Sequence, residues 1–299
     1  MNKMSSFSSR RIFSSINNLV GGSITRTIST SRILTSKEKY VEIEQKNGVR
    51  RITLNHAKSR NSLSLETINI LLYNISKDVE DNELGSIVIQ AAPGKVFSAG
   101  HNLKELTSEN RESHHLAVFE TFEMLMKEIM QCPVPIIAAV DGLAAAAGCQ
   151  LVAACDIAIC TEKSSFSTPG ANVGIFCSTP GIPLVRNVPR KVAFHMLLTG
   201  LPISAKEAYD AGLVSKVVPN DKLEDEIQKI TNAINSQSRS VTRLGKRFLF
   251  EQLDVDISTA YSLGTEIMVE NLKLKDSQEG IKSFIEKRKP LWSHNYEQD

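Results

Sequence analysis

The chain has 299 residues, 41% hydrophobic and 23% charged, with a formal net charge of +2. That length allows one large core or two domains, and so small a charge gives no reason to invoke nucleic acid. No apolar run reaches the roughly eighteen residues of a membrane span, because "VPIIAAVDGLAAAAG" is interrupted by Asp141 and Gly142.

The charge is unevenly placed. Residues 1–36 contain Lys3, Arg10, Arg11, Arg26 and Arg32 but no Asp or Glu; the first acid is Glu38. Serine is dense there (Ser5, Ser6, Ser8, Ser9, Ser14, Ser15), and Ile12, Phe13, Ile16 and Leu19 give a short helix one apolar stripe. Basic, serine-rich, acid-free and amphipathic is the composition of a mitochondrial transit peptide. The expected location is therefore the mitochondrial matrix. Cleavage near Thr35 or Ser36 would remove five positive charges and no negative ones, turning +2 into −3. The cysteines Cys132, Cys149, Cys155, Cys160 and Cys177 form no C-x-x-C pair. They read as small buried fillers in a reducing compartment, and no metal site is expected.

Two alternating runs flank Asn47-Gly48 in "VEIEQKNGVRRITL" (41–54), a hairpin signal. A helical period follows over 64–82, with Leu65, Ile68, Leu71, Leu72 and Ile75 on one side. "SIVIQA" (86–91) reads as a buried strand because β-branched residues dominate it. A glycine-bearing loop runs over 92–106, then a helix over 114–132 that Cys132-Pro133 ends. "PIIAAV" (135–140) is a buried strand, "DGLAAAAGCQLVAAC" a turn into a helix, and "DIAIC" (156–160) a strand. This alternation predicts right-handed crossovers and a largely parallel sheet. Helical patterns then cover 191–199, 204–211, 222–237, 239–253, 256–273 and 277–288, with a short strand within "GLVSKVV" (212–218). The predicted organisation is a transit peptide (1–36), an α/β core (37–220) and a helical C-terminal region (221–299).

Gly100 and Gly148 each follow a buried strand, and in open parallel sheets ligands bind beyond the carboxyl ends of the strands. The second loop enters a helix at Ala146 or Ala147, where the first N–H groups have no partner within the helix. Small residues there let an oxygen approach. The first loop exposes the N–H of His101. Two such donors converging on one oxygen make an oxyanion hole; spacing alone does not separate this from small residues that serve helix packing.

The segments "KVFSAGHNLKEL", "GLAAAAGCQLVAACDIAI", "SSFSTPGANVGI" and "LLTGLPISAKEAYDAGLVSKVV" occur in that order, with "RNSLS" (60–64) before them and "FIEKRKP" (284–290) after. Together they closely resemble the crotonase family, the enoyl-CoA hydratases and isomerases, from about residue 40 to the end. The resemblance implies an α/β spiral of ββα turns with a helical C-terminal region that builds a homotrimer, often stacked as a hexamer. It implies an acyl-CoA thioester as substrate, in fatty-acid metabolism, with coenzyme A arriving as part of that substrate and no separate cofactor. It assigns the oxyanion donors to the backbone N–H groups of His101 and Ala147. It places Lys58 and Arg60 near the CoA phosphates, and His101, Asn102, Leu103 and Lys104 along the pantetheine and acyl region. Phe284 and Lys287 become candidates to reach the nucleotide, across a subunit boundary. For each of the three basic side chains, the plain alternative is a solvated surface charge.

The family's hydratases use two glutamates, and both are missing. One position holds Gln150 and the other, in "FSTPG", holds Gly170. Glutamine takes up no proton near neutral pH, though it can hold a water by hydrogen bonding, and glycine offers nothing beyond room. General acid–base catalysis contributes about 10²–10⁴-fold per group, so hydration should be impaired or altered while backbone donors persist. A thioester hydrolase or an isomerase with an unusual base fits this pattern. The alternatives are a non-catalytic acyl-CoA binding or regulatory protein, and a genuine but slow hydratase. The His101 imidazole, which titrates near neutrality, would be a base if turned inward; facing solvent or CoA is the simpler expectation. Cys177 and Ser178 read mainly as packing residues, and Asp156 as a cap or turn residue.

Overall fold

A computed structural model describes residues 40–296; the expected transit peptide lies outside them. Strands β1 (Val41–Lys46) and β2 (Val49–Leu54) pair antiparallel. Asn47 and Gly48 between them both have positive φ, 52° and 75°, as a two-residue type I′ turn requires. Helix α1 (Leu65–Ser76) follows, with Ser64 accepting the Thr67 N–H as its cap. Next come β3 (Ser86–Ala91), β4 (Val96–Ser98) and α2 (Glu112–Gln131). The same strand–strand–helix unit recurs as β5 (Ile136–Val140), β6 (Leu143–Ala145) and α3 (Ala147–Ala154). It begins again with β7 (Ile157–Thr161) and β8 (Ser165–Ser167), followed by α4 (Ser178–Asn187) and α5 (Arg190–Thr199).

From β3 onward, each unit's first strand joins one sheet and its second strand another. With β9 (Ile203–Ser204) and β10 (Lys216–Val218), the sheet orders are β1-β2-β3-β5-β7-β10 and β4-β6-β8-β9. Within the larger sheet every pair except β1–β2 is parallel. This is the ββα spiral that the resemblance implied. The sequence pattern shows only the larger sheet: β4 lies in the stretch read as a loop, β6 in the helix entry, and β8 in a stretch that carries no periodic signal. Three residues are too few for an alternation to appear.

The middle of the larger sheet, β3, β5 and β7, is buried on both faces, and side chains alternate between two cores as a strand's period of two demands. Ile87, Ile89, Ile136 and Ala138 join the main core with α1 and α2. Val88, Ile137, Ala139 and Ile159 meet Ile227 of α7 (Leu223–Asn235) on the other face. Beyond α6 (Ala205–Asp210) and α7, the chain continues through α8 (Arg239–Glu251), α9 (Ile257–Leu272) and α10 (Lys275–Ile285). Helix α8 is tied to the core by a buried ion pair: Lys246 Nζ lies 2.7 Å from Asp156 Oδ2. Asp156 is therefore part of the fold's internal framework rather than a simple turn residue.

Candidate functional site

The first loop is held by the "RNSLS" segment. Arg60 and Asn61 both adopt left-handed backbone conformations, φ 56° and 51°, and asparagine tolerates this better than most residues. The Asn61 side chain donates to the carbonyls of Val96 and Phe97, both at 3.1 Å, and accepts the His56 N–H at 2.8 Å. Ser98 Oγ donates to the Asn61 carbonyl and accepts the Gly100 N–H. The Leu63 N–H donates to the Gly100 carbonyl, and the Asn102 N–H to the Leu63 carbonyl. The backbone on both sides of His101 is thus pinned while its own N–H is left over.

The second loop presses against the first. A Cβ on Gly100 would lie 2.9 Å from Ala146 Cβ and 3.1 Å from the Ala147 nitrogen. One on Gly148 would lie 2.6 Å from the Ser98 carbonyl oxygen. Both glycines are therefore demanded by close approach, and Gly100 also by its φ of +90°. Ala146 sits at φ 49°, ψ −119° just before α3, a sparsely populated conformation for a residue with a Cβ. Its N–H donates to the Ser167 carbonyl and its carbonyl accepts the Gln150 N–H. The N–H groups of His101 and Ala147 donate to no acceptor among the described residues. Two free donors on loops in van der Waals contact, one of them at a helix N-terminus, suit an oxygen that carries or gains negative charge.

The side chains differ from expectation in two places. The His101 imidazole is turned inward, with its ring 5.3 Å from Phe119 and 4.8 Å from Phe122 of α2, both edge-on. Both ring nitrogens are buried without a hydrogen-bonding partner. Burial pushes its pKa down to about 4, against an opposing hydrogen-bond contribution from the Leu63 backbone. It is a neutral imidazole at ordinary pH, and a weak base.

The second correction concerns Gly170. It offers no room: a Cβ there would lie 2.0 Å from the Ile175 carbonyl oxygen and 2.7 Å from Cys177 Sγ. The loop after it folds back, with the Ile175 N–H donating to the Gly170 carbonyl and the Gly170 N–H to Cys177 Sγ. Cys177 is buried and its thiol pushed up by burial, which suits packing rather than nucleophilic attack. Gln150 lies in the first turn of α3, 4% exposed, with Oε1 unpartnered.

Of the remaining candidates, Asn102 caps a short 3-10 turn (Leu103–Leu106), and Leu103 and Lys104 are exposed beside it. Glu105, unremarked in the sequence, accepts the Leu65 N–H and fastens this turn to the start of α1. Lys58 and Arg60 are exposed on the loop that Asn61 fixes. Phe284 (86% exposed) and Lys287 sit at the end of α10, which packs on α8 and α9 rather than on the two loops. Among the described residues there is no cluster of His, Cys, Asp and Glu suited to a metal ion, and no helix long and apolar enough to cross a membrane.

The family profile described as Enoyl-CoA hydratase/isomerase matches residues 44–295. The chain is 53% identical over 259 residues to human enoyl-CoA hydratase domain-containing protein 3, mitochondrial, covering 87% of this chain and 85% of that protein. It is 32% identical over 259 residues to the short-chain-enoyl-CoA hydratase of Clostridium acetobutylicum, covering 83% and 95% respectively. The crystal structure of the human domain-containing protein 3 superposes with a TM-score of 0.83 at 52% identity, covering 85% of this chain and 100% of that one. That of an enoyl-CoA hydratase from Mycobacterium smegmatis gives 0.82 at 39% identity, covering 85% and 99%. With sequence and fold matched through both the spiral core and the C-terminal helices, the chain belongs to the enoyl-CoA hydratase/isomerase family.

Proposed function

We propose that this chain is a mitochondrial acyl-CoA thioester-binding protein of fatty-acid metabolism whose hydratase chemistry is impaired or altered. The observation that carries this reading is the pairing of free backbone donors at His101 and Ala147 with Gln150 and a sterically closed Gly170. The donors suit a thioester oxygen and stabilise it further as it becomes an enolate. Neither replaced position supplies a carboxylate, and the buried imidazole of His101 is too weakly basic to take over. The mitochondrial placement rests on the acid-free N-terminal composition and on relatives whose names carry that location. Assembly as a homotrimer or hexamer belongs to the same reading. Helices α9 and α10 leave Ile257, Tyr261, Phe284 and Ile285 exposed, apolar side chains that an interface with a second copy would cover. In such an assembly Phe284 and Lys287 of one copy, with Lys58 and Arg60 of another, would hold the nucleotide.

Calorimetric titration with butyryl-CoA, run alongside crotonyl-CoA hydration, tests this. Saturable binding with hydration far below that of a two-glutamate hydratase is expected. Turnover near that of such a hydratase, or no binding, would overturn it. Gly100→Ala should weaken butyryl-CoA binding by roughly tenfold or more, because the new methyl group must force the two donor loops apart. Unchanged affinity in that variant would dissociate the donors from binding.

A further inference from the structure

Helix α10 ends in a way that its residue types do not advertise. Lys287 has φ 55°, the left-handed conformation at which a helix end usually places glycine. The Lys287 N–H donates to the Phe284 carbonyl (3.2 Å) and the Arg288 N–H to the Ser283 carbonyl (3.0 Å), the two bonds of a Schellman turn. A residue with a Cβ is strained there and persists only where its surroundings over-determine the backbone.

The next residue supplies that constraint. The Arg288 guanidinium donates through Nη1 and Nη2 to the two carboxylate oxygens of Glu279, at 2.5 and 2.8 Å, and through Nε to Glu286 Oε2 at 2.7 Å. A bidentate fork of this kind fixes geometry as well as adding attraction. The chain then returns along α10. The Leu291 N–H donates to Glu279 Oε1 (2.8 Å), and Trp292 Nε1 to the Ser236 carbonyl (2.8 Å). A Cβ on Gly280 would lie 3.1 Å from the Trp292 ring. The N–H groups of Ser293 and His294 donate to the buried Asp276 carboxylate. Glu279 therefore grips the chain at both Arg288 and Leu291. The side chains of Glu279 and Arg288 are 22% and 35% exposed, so the pair adds only modestly to overall stability. What it fixes is the shape of the turn.

We infer that Glu279 is a positioning residue for Lys287: by locking Arg288 it holds the left-handed turn that aims the Lys287 ammonium at the nucleotide of the acyl-CoA. This rests on the proposed acyl-CoA binding, in which Lys287 helps to hold that nucleotide. Charge alone predicts the opposite sign. Glu279 is an anion close to where the phosphates would lie, so removing its charge should tighten binding by relieving repulsion. Loss of the turn should loosen binding instead. The direction of the effect separates the two.

The test measures calorimetric affinities of the full chain for butyryl-CoA and for butyryl-pantetheine, which keeps the thioester and lacks the nucleotide. Glu279→Gln should weaken butyryl-CoA binding at least roughly fivefold and leave butyryl-pantetheine binding unchanged. Lys287→Asn removes the ammonium but keeps a residue that tolerates the left-handed backbone. Adding Glu279→Gln to it should cost nothing further, because Glu279 acts through Lys287. Unchanged or tighter butyryl-CoA binding in Glu279→Gln would overturn the inference. So would an equal loss for both thioesters, or full additivity with Lys287→Asn. The emission of Trp292, the chain's one tryptophan, monitors whether the returning segment stays docked. Where Glu279→Gln releases it, Arg288→Lys, which keeps a cation but loses the fork, takes its place with the same expectations. Wild-type protein that binds neither thioester would instead sink the acyl-CoA reading itself.

Discussion

Gly170→Glu, alone or combined with Gln150→Glu, is expected to leave crotonyl-CoA hydration at the wild-type level and to lower the melting temperature. By family logic, putting both carboxylates back should restore a hydratase. The backbone forbids it. The first carbon of any side chain at position 170 would fall 2.0 Å from the Ile175 carbonyl oxygen, closer than any non-bonded contact allows. That oxygen is not a flexible tip that swings away. It belongs to a loop closed by the Ile175 N–H on the Gly170 carbonyl and by the Gly170 N–H on Cys177 Sγ. Overpacking usually costs about 1–3 kcal/mol, and displacing backbone puts this variant at the upper end. Gly170→Ala should show most of the same stability loss, which separates the clash from the charge. Gln150→Glu alone would put a carboxylate where the present side chain is 4% exposed and its oxygen unpartnered. Such a group is held protonated by desolvation. Hydration rising a hundredfold or more in the double variant would show that the 170–177 loop opens readily, and would defeat the steric account.

The larger sheet and the close approach of the two loops were legible in the sequence, because both depend on local signals. "SIVIQA" is buried on both faces, so β-branched residues fill it and mark it as a strand. Small residues at 144–148 announce close approach, and the structure supplies the partner, the Ser98–Gly100 backbone. What stayed hidden depends on contacts distant in sequence or on backbone alone. The burial of His101 is set by Phe119 and Phe122 on a helix that starts eleven residues later. The obstruction at Gly170 is a carbonyl, which leaves no trace in residue type. Helix α4 was missed because Pro180, Gly181 and Pro183 look like breakers. Pro180 lies in the first turn, where its missing N–H costs nothing. Ala146 gives no hint of its positive φ, since the residue type that advertises such a conformation is glycine.

Lys246→Met should be the most destabilising single change away from the site, by about 3–5 kcal/mol, because it leaves a buried carboxylate without its counter-charge. Lys246 is 7% exposed, and its ammonium donates to Asp156 Oδ2 (2.7 Å), the Ile129 carbonyl (2.9 Å) and the Val134 carbonyl (3.1 Å). All three of its hydrogens are therefore used. Asp156 Oδ2 also accepts the Ile136 N–H at 2.7 Å. One carboxylate and one ammonium thus join the end of α2, the start of β5, the turn after α3 and helix α8. Burial pushes the Asp156 carboxyl up, and Lys246 pulls it back. Without the lysine the Ile136 N–H still opposes that push, but the largest opposing effect is gone. A carboxyl whose pKa is higher folded than unfolded is penalised at high pH and relieved as pH falls through the folded value. The variant's deficit, measured by urea denaturation, should therefore shrink on acidification. Asp156→Asn added to Lys246→Met should recover part of the loss at neutral pH, since an amide is far cheaper to bury than an unpaired charge. If the single variant lost less than about 1 kcal/mol, the pair would be behaving like an exposed one. Because Asp156 lies directly beyond α3, the single variant should also weaken acyl-CoA binding, the far end of the helix that carries the Ala147 donor having lost its anchor.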